Sequence, residues 1–135
     1  MKAVSVKELL RIFAFPLAVF AIHVLVLVPL NIYDLYTWFD ILMHLLGGFA
    51  VGVSYSLILR RGFFGPLKKI QIFLIMISFV ALTAVLWEFW EFSVDLAFGQ
   101  AWQRGLADTM ADLFFGLIGG IFASIIGRGR THKSL

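Results

Sequence analysis

A stripe of three acidic residues, Glu88, Glu91 and Asp95, ends a long apolar run. Their spacing of i, i+3 and i+7 places them on one face of a helix. A carboxylate at the middle of a membrane helix costs roughly 2.5–3.5 kcal/mol on insertion scales, and less near the surface. A membrane chain can keep such a stripe only where other groups neutralise it.

Two further segments carry residues that could serve as partners. Asp40 and His44 are spaced i, i+4 in one segment, and Asp108 and Asp112 are spaced i, i+4 in another. Each pair therefore occupies a single helical face. Glycines follow about one turn further along both segments, and they would let the two helices approach each other closely beneath the acids.

The composition assigns the chain to the polytopic membrane proteins. Of its 135 residues, 61% are hydrophobic and 14% are charged, and the mean hydropathy is +0.98. A soluble domain of this length could not bury so much apolar surface. There is no cysteine, which excludes disulfides and thiolate metal sites.

The apolar runs and their breaks predict an all-α fold, with four transmembrane helices in a single domain. The basic start is typical of a signal peptide, but the first apolar run is too long and lacks a small-residue cleavage site, so we expect a retained helix. The turn signal Gly65-Pro66 and the helix terminator Gly99 mark later breaks. The expected spans cover residues of about 12–30, 38–59, 70–96 and 108–126, and a basic tail over 127–135 is expected to be disordered.

Basic residues are distributed unevenly between the two sides of this arrangement. Four spans place both termini on one side, and ten of the 11 Lys and Arg residues fall there, against Arg104 alone on the other. The positive-inside rule therefore predicts a multi-pass protein of the cell (inner or plasma) membrane, with cytoplasmic termini and external loops at 31–37 and 99–107. Seven of the eight acids, all but Glu8, then lie towards the outer leaflet, and His23 has a similar depth.

The acids and imidazoles are expected to form a cup that opens to the outer leaflet. Several carboxylates cannot stay ionised together at close range in a low dielectric. A divalent metal could neutralise them, since carboxylates suit Mg, Mn or Ca and an added imidazole suits Zn, Fe or Mn. Protons could do so as well, in a proton relay, and so could helix caps and interfacial water.

Single members of the cup also have plainer roles. Asp108 can cap a helix start, Asp95 can be solvated at the interface, and His23 can hydrogen-bond to a neighbouring helix. Taken together, the residues favour a metal site over these roles. The expected ligands are drawn from Asp40, His44, Glu88, Glu91, Asp95, Asp108 and Asp112.

The acids and glycines fall into three motifs, Asp40-x-x-x-His44-x-x-Gly47-Gly48, Glu88-x-x-Glu91 and Asp108-Thr-x-x-Asp112-x-x-x-Gly116. Together they resemble the small bacterial and archaeal inner-membrane proteins of the YjdF type and, more distantly, VanZ-like proteins, over roughly residues 38–120. The resemblance implies a membrane fold of four or more helices and little about chemistry. The chain is shorter than such proteins, so a homo-oligomer could supply further helices.

Our first interpretation is a metal-dependent hydrolase acting on a lipid or lipid-linked substrate at the outer leaflet. His44, Glu88 and Glu91 are the expected catalytic residues, and Zn, Mn, Mg or Fe is the expected cofactor. Phosphate sites usually contain Arg or Lys, and only Arg104 lies on that side, so a phosphoester substrate would need the metal in that role. Membrane lipids, not nucleic acids, are the expected partners.

Two other interpretations stay open. A cation or proton binder or transporter could use the same cup, although no charged residue lies between Val51 and Leu59 or between Ile70 and Val85, so a conducting path would lack an inner half. A structural accessory membrane protein could use the polar network to specify helix packing.

Overall fold

A capping box begins the first helix. The computed structural model describes residues 5–61 and 65–128 of the chain. The backbone N–H of Glu8 donates to Ser5 Oγ at 3.3 Å, and the backbone N–H of Ser5 donates to the Glu8 carboxylate at 3.0 Å. Both exposed donors are thereby satisfied, and α1 runs over Val6–Ile22. The helix therefore begins earlier than the span expected from about residue 12, because the polar turn before the apolar run is also helical.

The first span continues through a π-helical turn over His23–Leu27, in which the N–H of Val28 donates to the carbonyl of His23 at 3.0 Å. Such widened turns occur frequently at functional sites. Asn31 then takes a left-handed backbone conformation with φ of 50°, a conformation that asparagine adopts more readily than most residues. The chain turns there into the short helix α2 (Ile32–Leu35).

Three long helices complete the fold: α3 (Trp38–Leu59), α4 (Lys69–Phe98) and α5 (Leu106–Arg128). With the first span they make four helices that are long and apolar enough to cross a membrane, with mean hydropathies from 1.8 to 2.4. This confirms the expected all-α membrane fold. The α5 helix takes in the start of the tail that was expected to be disordered, and residues 129–135 lie outside the described residues.

Helix α4 is longer than a bilayer core. Its 30 residues extend about 45 Å, against roughly 30 Å of hydrocarbon. It ends at Gly99, whose φ of 65° is a left-handed conformation that glycine adopts without strain. The acidic end of α4 therefore reaches the loop that follows.

Glycines join α3 and α5 along their length. A Cβ atom at Gly48 would collide with the backbone carbonyl of Gly116, and further along Gly52 lies against Gly120. Later residues of α3 thus contact later residues of α5, so the two helices are parallel. Such close backbone contact between small residues is a common way of packing membrane helices.

The other two helices pack antiparallel to this pair. On α4, Val80 lies against Gly120, and Ala84, nearer the end of α4, lies against Gly116. On α3, the Ser54 hydroxyl donates to the carbonyl of Ile12 in α1 at 2.6 Å. Phe49, earlier on α3, packs against Phe15, later on α1. Connections 28–37 and 99–105 thus share one end of the bundle, the loop end. The starts of α1 and α4 and the ends of α3 and α5 form the other, the terminal end.

Candidate metal centre

His44 lies at the centre of the polar residues at the loop end. Its Nε2 is 3.6 Å from Asp40 Oδ1, one turn earlier on α3, and 3.8 Å from Asp112 Oδ1 on α5. Its Nδ1 is 3.8 Å from Glu88 Oε1 on α4. Three helices therefore bring carboxylates to both nitrogen atoms of one imidazole ring.

These residues form two groups that could hold a metal ion, and both contain His44. Asp40, His44 and Asp112 make one group, and His44, Glu88 and Glu91 make the other; within each group the available ligand atoms lie within 4.8 Å of one another. We call the five residues the His44 cluster. The structure thus brings together five of the seven residues that the sequence put forward as ligands.

The carboxylates of the His44 cluster are deeply buried. Glu88 and Glu91 are each 5% exposed, and Asp112 is 2% exposed. Two of their oxygens, Glu88 Oε1 and Asp112 Oδ1, are buried without a hydrogen-bond partner in the described part of the chain. Each lies 3.8 Å from one of the His44 nitrogens, Glu88 Oε1 from Nδ1 and Asp112 Oδ1 from Nε2. The burial of unpaired charge is costly, so these oxygens call for a positive partner.

Other oxygens of the cluster are held by neighbouring side chains. The indole N–H of Trp87 donates to Glu91 Oε1 at 2.8 Å, one turn apart on α4. The side-chain amide of Gln103 donates to Glu88 Oε2 at 3.2 Å. These bonds fix the orientation of the two glutamates and leave Glu88 Oε1 facing His44.

Two of the expected ligands shape the loop after α4 and belong to neither group. Asp95 accepts from the backbone N–H groups of Trp102 and Gln103, each at 2.9 Å. Asp108, in the first turn of α5, accepts at 3.1 Å from the backbone N–H of Arg104, which precedes the helix. This bond holds the loop, whereas the expected cap would accept from the N–H groups of the helix itself. These contacts fold the loop back over the loop end, where Gln103 reaches Glu88.

His23 and Tyr33 form a second polar pair beside the cluster. His23 Nδ1 lies 2.6 Å from the Tyr33 hydroxyl, so its partner lies in the short helix α2 that follows its own span. Burial and the nearby carboxylates of Asp40 and Glu91 raise the pKa of Tyr33 above its usual value, which keeps the phenol protonated. Trp87 packs edge-on against the His23 ring, with centroids 5.2 Å apart.

Arg104 supplies positive charge at the edge of the site. Its guanidinium lies 3.9 Å from Asp40 and 3.9 Å from Asp34, and it donates to the carbonyl of Tyr33 at 2.9 Å. It thereby links the two connections at the loop end. The side chain of Asp34 is 79% exposed, which separates it from the buried cluster.

A cavity of about 290 Å³ lies between α1, α3 and α4 and borders the His44 cluster. Asp40, His44 and Glu91 line it at the polar end, whereas Glu88 does not. Apolar residues from the three helices form most of its wall, among them Phe13, Pro16, Met43, Val80 and Ala84. The cluster is therefore accessible from an apolar space.

Tyr33 and Gln103 are the site residues that the sequence placed only in polar loops. Neither has a spacing that relates it to the cluster, because each reaches the site through a turn of the backbone. The positive φ of Asn31 and of Gly99 redirects the chain before each of them. A glycine after a long helix was the one signal available for the second of these turns.

Comparison with known proteins identifies the family. The family model described as "Predicted membrane protein (DUF2238)" matches residues 5–133. An uncharacterized protein of Thermotoga maritima is 32% identical over 110 residues, which is 77% of this chain and 55% of the relative, so the chain spans about half of that protein's length. No solved structure matches the chain. The chain belongs to the DUF2238 family of predicted membrane proteins, in agreement with the small polytopic membrane family expected from its motifs.

Proposed function

We propose that the protein binds a divalent cation at the His44 cluster and uses it to hydrolyse a lipid or lipid-linked substrate. The observation that carries this proposal is the pair of buried, unpartnered carboxylate oxygens, Glu88 Oε1 and Asp112 Oδ1, on the two sides of His44. A cation on either side of the ring would neutralise the oxygen there and would use the imidazole as a ligand, whereas protonation of the carboxylates would leave the imidazole without a role.

The separations between the candidate ligand atoms suit a metal better than direct hydrogen bonds. Ligand atoms about 2.0–2.2 Å from a tetrahedral Zn²⁺ ion are roughly 3.4 Å from one another. The nitrogen–oxygen distances around His44 are 3.6 to 3.8 Å, which is longer than a hydrogen bond and close to that spacing. Zn, Mn and Fe accept mixed carboxylate and imidazole ligands, and Mg accepts the carboxylates.

The cavity supports a lipid as the substrate. Its wall is apolar, it borders the membrane-spanning helices α1, α3 and α4, and its polar end is formed by the cluster. A lipid chain in this space would bring its polar linkage to His44 and Glu91. Other parts of the bundle surface expose large apolar side chains as well, such as Leu25 at 72% and Phe98 at 74%, as expected for a protein in lipid.

Glu91 is the carboxylate best placed to act as the general base. It is the one glutamate of the cluster that lines the cavity, and Trp87 holds one of its oxygens. We assign it the removal of a proton from the attacking water. His44 and Glu88 would hold the cation, which when bound would polarise the scissile bond and acidify water.

The lack of charged residues beyond the cluster favours hydrolysis over transport of ions. The cluster lies at the loop end, and α3 from Val51 to Leu59 and α4 from Ile70 to Val85 carry no charged residue that could continue a path. Cytoplasmic termini, as the distribution of basic residues predicts, would place the site towards the outer leaflet of the cell membrane.

Lipid hydrolysis can be tested in vesicles of phospholipids and polyprenyl-linked lipids that contain the purified protein. We expect Zn²⁺, Mn²⁺ or Mg²⁺ to produce hydrolysis products detectable by mass spectrometry, and we expect Glu91→Gln to remove them. Ser93→Ala, a change at an exposed position on the same helix, should leave them unchanged. If none of the metals gave a hydrolysis product, the hydrolase assignment would be contradicted. Metal binding is measured in a separate experiment.

A further inference from the structure

A second cavity, of about 80 Å³, lies at the terminal end of the bundle, where α3 and α5 end and α4 begins. Arg60 and Lys69 line it and are both exposed. Its inner wall is apolar and includes Ile72 and the fully buried Met76. The hydroxyls of the serines in its lining donate to their own helices, so hydrogen bonds to a ligand would come from Arg60 and Lys69.

Among the described residues, no acid pairs with the two cations of this cavity. Arg60 donates to the carbonyl of Gly127 at 2.8 Å, which fixes its guanidinium beside the end of α5 and leaves its other N–H groups available. Lys69 has no polar partner within residues 5–61 and 65–128. The one acid at this end, Glu8, is paired with Arg61 at 3.1 Å instead.

We propose that this cavity binds the phosphate headgroup of an anionic phospholipid from the adjacent leaflet. Basic pockets between membrane helices at the headgroup level bind such lipids, because cations contact the phosphate while the apolar wall contacts the acyl chains. The cavity combines both features at the ends of three spans. This proposal is independent of the metal centre, which lies at the opposite end of the bundle.

Two double variants with the same loss of charge test the proposal. Arg60→Gln/Lys69→Gln removes both cations of the cavity, whereas Arg61→Gln/Lys68→Gln removes their sequence neighbours, which do not line it. Native mass spectrometry of the detergent-solubilised protein, titrated with phosphatidylglycerol, measures the affinity for the lipid. We expect the first variant to bind roughly thirtyfold more weakly, at about fivefold per basic residue, and the second to bind like the wild type.

The single variants guard against misfolding, since Arg60 also holds the end of α5. Lys69→Gln breaks no bond in the described part of the chain, and it should weaken binding about fivefold relative to Lys68→Gln. Phosphatidylcholine, which has no net charge, should bind far more weakly than phosphatidylglycerol. Equal binding of the two lipids, or equal losses in the matched variants, would overturn the proposal.

Discussion

At the scale of single residues, His44 is the side chain on which both candidate ligand groups depend. It lies between Asp40 and Asp112 on one side of its ring and Glu88 on the other, at 3.6 to 3.8 Å. Removal of this ring would dismantle both groups together, whereas removal of one carboxylate would leave the other group complete. Variants of His44 therefore separate a metal site from a structural role most clearly.

Glu91 provides the first prediction at this scale. A chelator should lower the melting temperature of the wild-type protein, since a cation at a hundredfold excess over its Kd stabilises a fold by about 2.7 kcal/mol. Glu91→Gln should reduce this shift, because it removes one candidate ligand of its group while the group of Asp40, His44 and Asp112 stays complete. Asp34→Asn should retain it, because that side chain is 79% exposed and outside the cluster. A shift that persists unchanged in Glu91→Gln would remove Glu91 from the site.

Asp95 provides a second prediction, because the structure gives it a different role from the one expected. Asp95→Ala leaves the N–H groups of Trp102 and Gln103 without their charged acceptor. We expect the free energy of unfolding to fall by about 1.5–3 kcal/mol while the metal content stays unchanged. Ser93→Ala, two residues earlier, is the control for both measurements. Loss of metal in Asp95→Ala would instead make Asp95 a ligand.

The sequence predicted those parts of the site that depend on helical spacing. The i, i+4 pair Asp40 and His44 and the i, i+3 pair Glu88 and Glu91 share faces in the folded protein, since spacing alone determines the face. The role of Asp95 depends on how the loop after Gly99 turns back, and no local spacing specifies that turn. The same reason explains why Gln103 could not be related to Glu88 from sequence.

At the scale of helices, glycine positions determine how closely α3 and α5 approach. Gly47 and Gly48 are adjacent in sequence but have different surroundings. A Cβ at Gly48 would collide with the backbone of Gly116, whereas a Cβ at Gly47 would have no atom within 4 Å. The sequence predicted that glycines on these two segments would let the helices approach closely, but it could not show that Gly48 makes the contact and Gly47 does not.

This contrast gives a matched pair of variants for the helix contact. Gly48→Ala should lower the free energy of unfolding by about 1–3 kcal/mol, because the backbones must separate. Gly47→Ala should leave it unchanged or raise it by up to about 1 kcal/mol, since alanine is the better helix former. Thermal unfolding in detergent measures both. Equal melting temperatures for the two variants would contradict the close contact between α3 and α5.

At the scale of the whole molecule, the distribution of charge predicts the orientation. Ten of the 11 basic residues belong to the termini and to the connection at the terminal end. We expect a fluorescent or enzymatic reporter fused after Leu135 to be active on the cytoplasmic side, and a cysteine introduced between residues 31 and 37 to react with an impermeant reagent from outside. A reporter active only on the outer side would invert the placement of the site.

The four-helix architecture followed from composition and from apolar runs, because a bilayer requires spans of a defined length. The arrangement of those spans around a cavity did not, because it depends on contacts between distant residues such as Ser54 and Ile12. The chain spans about half of its Thermotoga maritima relative. Further helices from a second copy therefore stay a prediction, which the mass of the protein in detergent can test.

The metal content of the purified protein shows whether the His44 cluster holds a cation. Preparations made without chelator should carry at least one divalent cation per chain in the wild type and in Asp34→Asn, as measured by elemental analysis. His44→Asn should carry none, because His44 is shared by both ligand groups. A metal-free wild type with a chelator-insensitive melt, or equal metal content in His44→Asn, would contradict the metal centre.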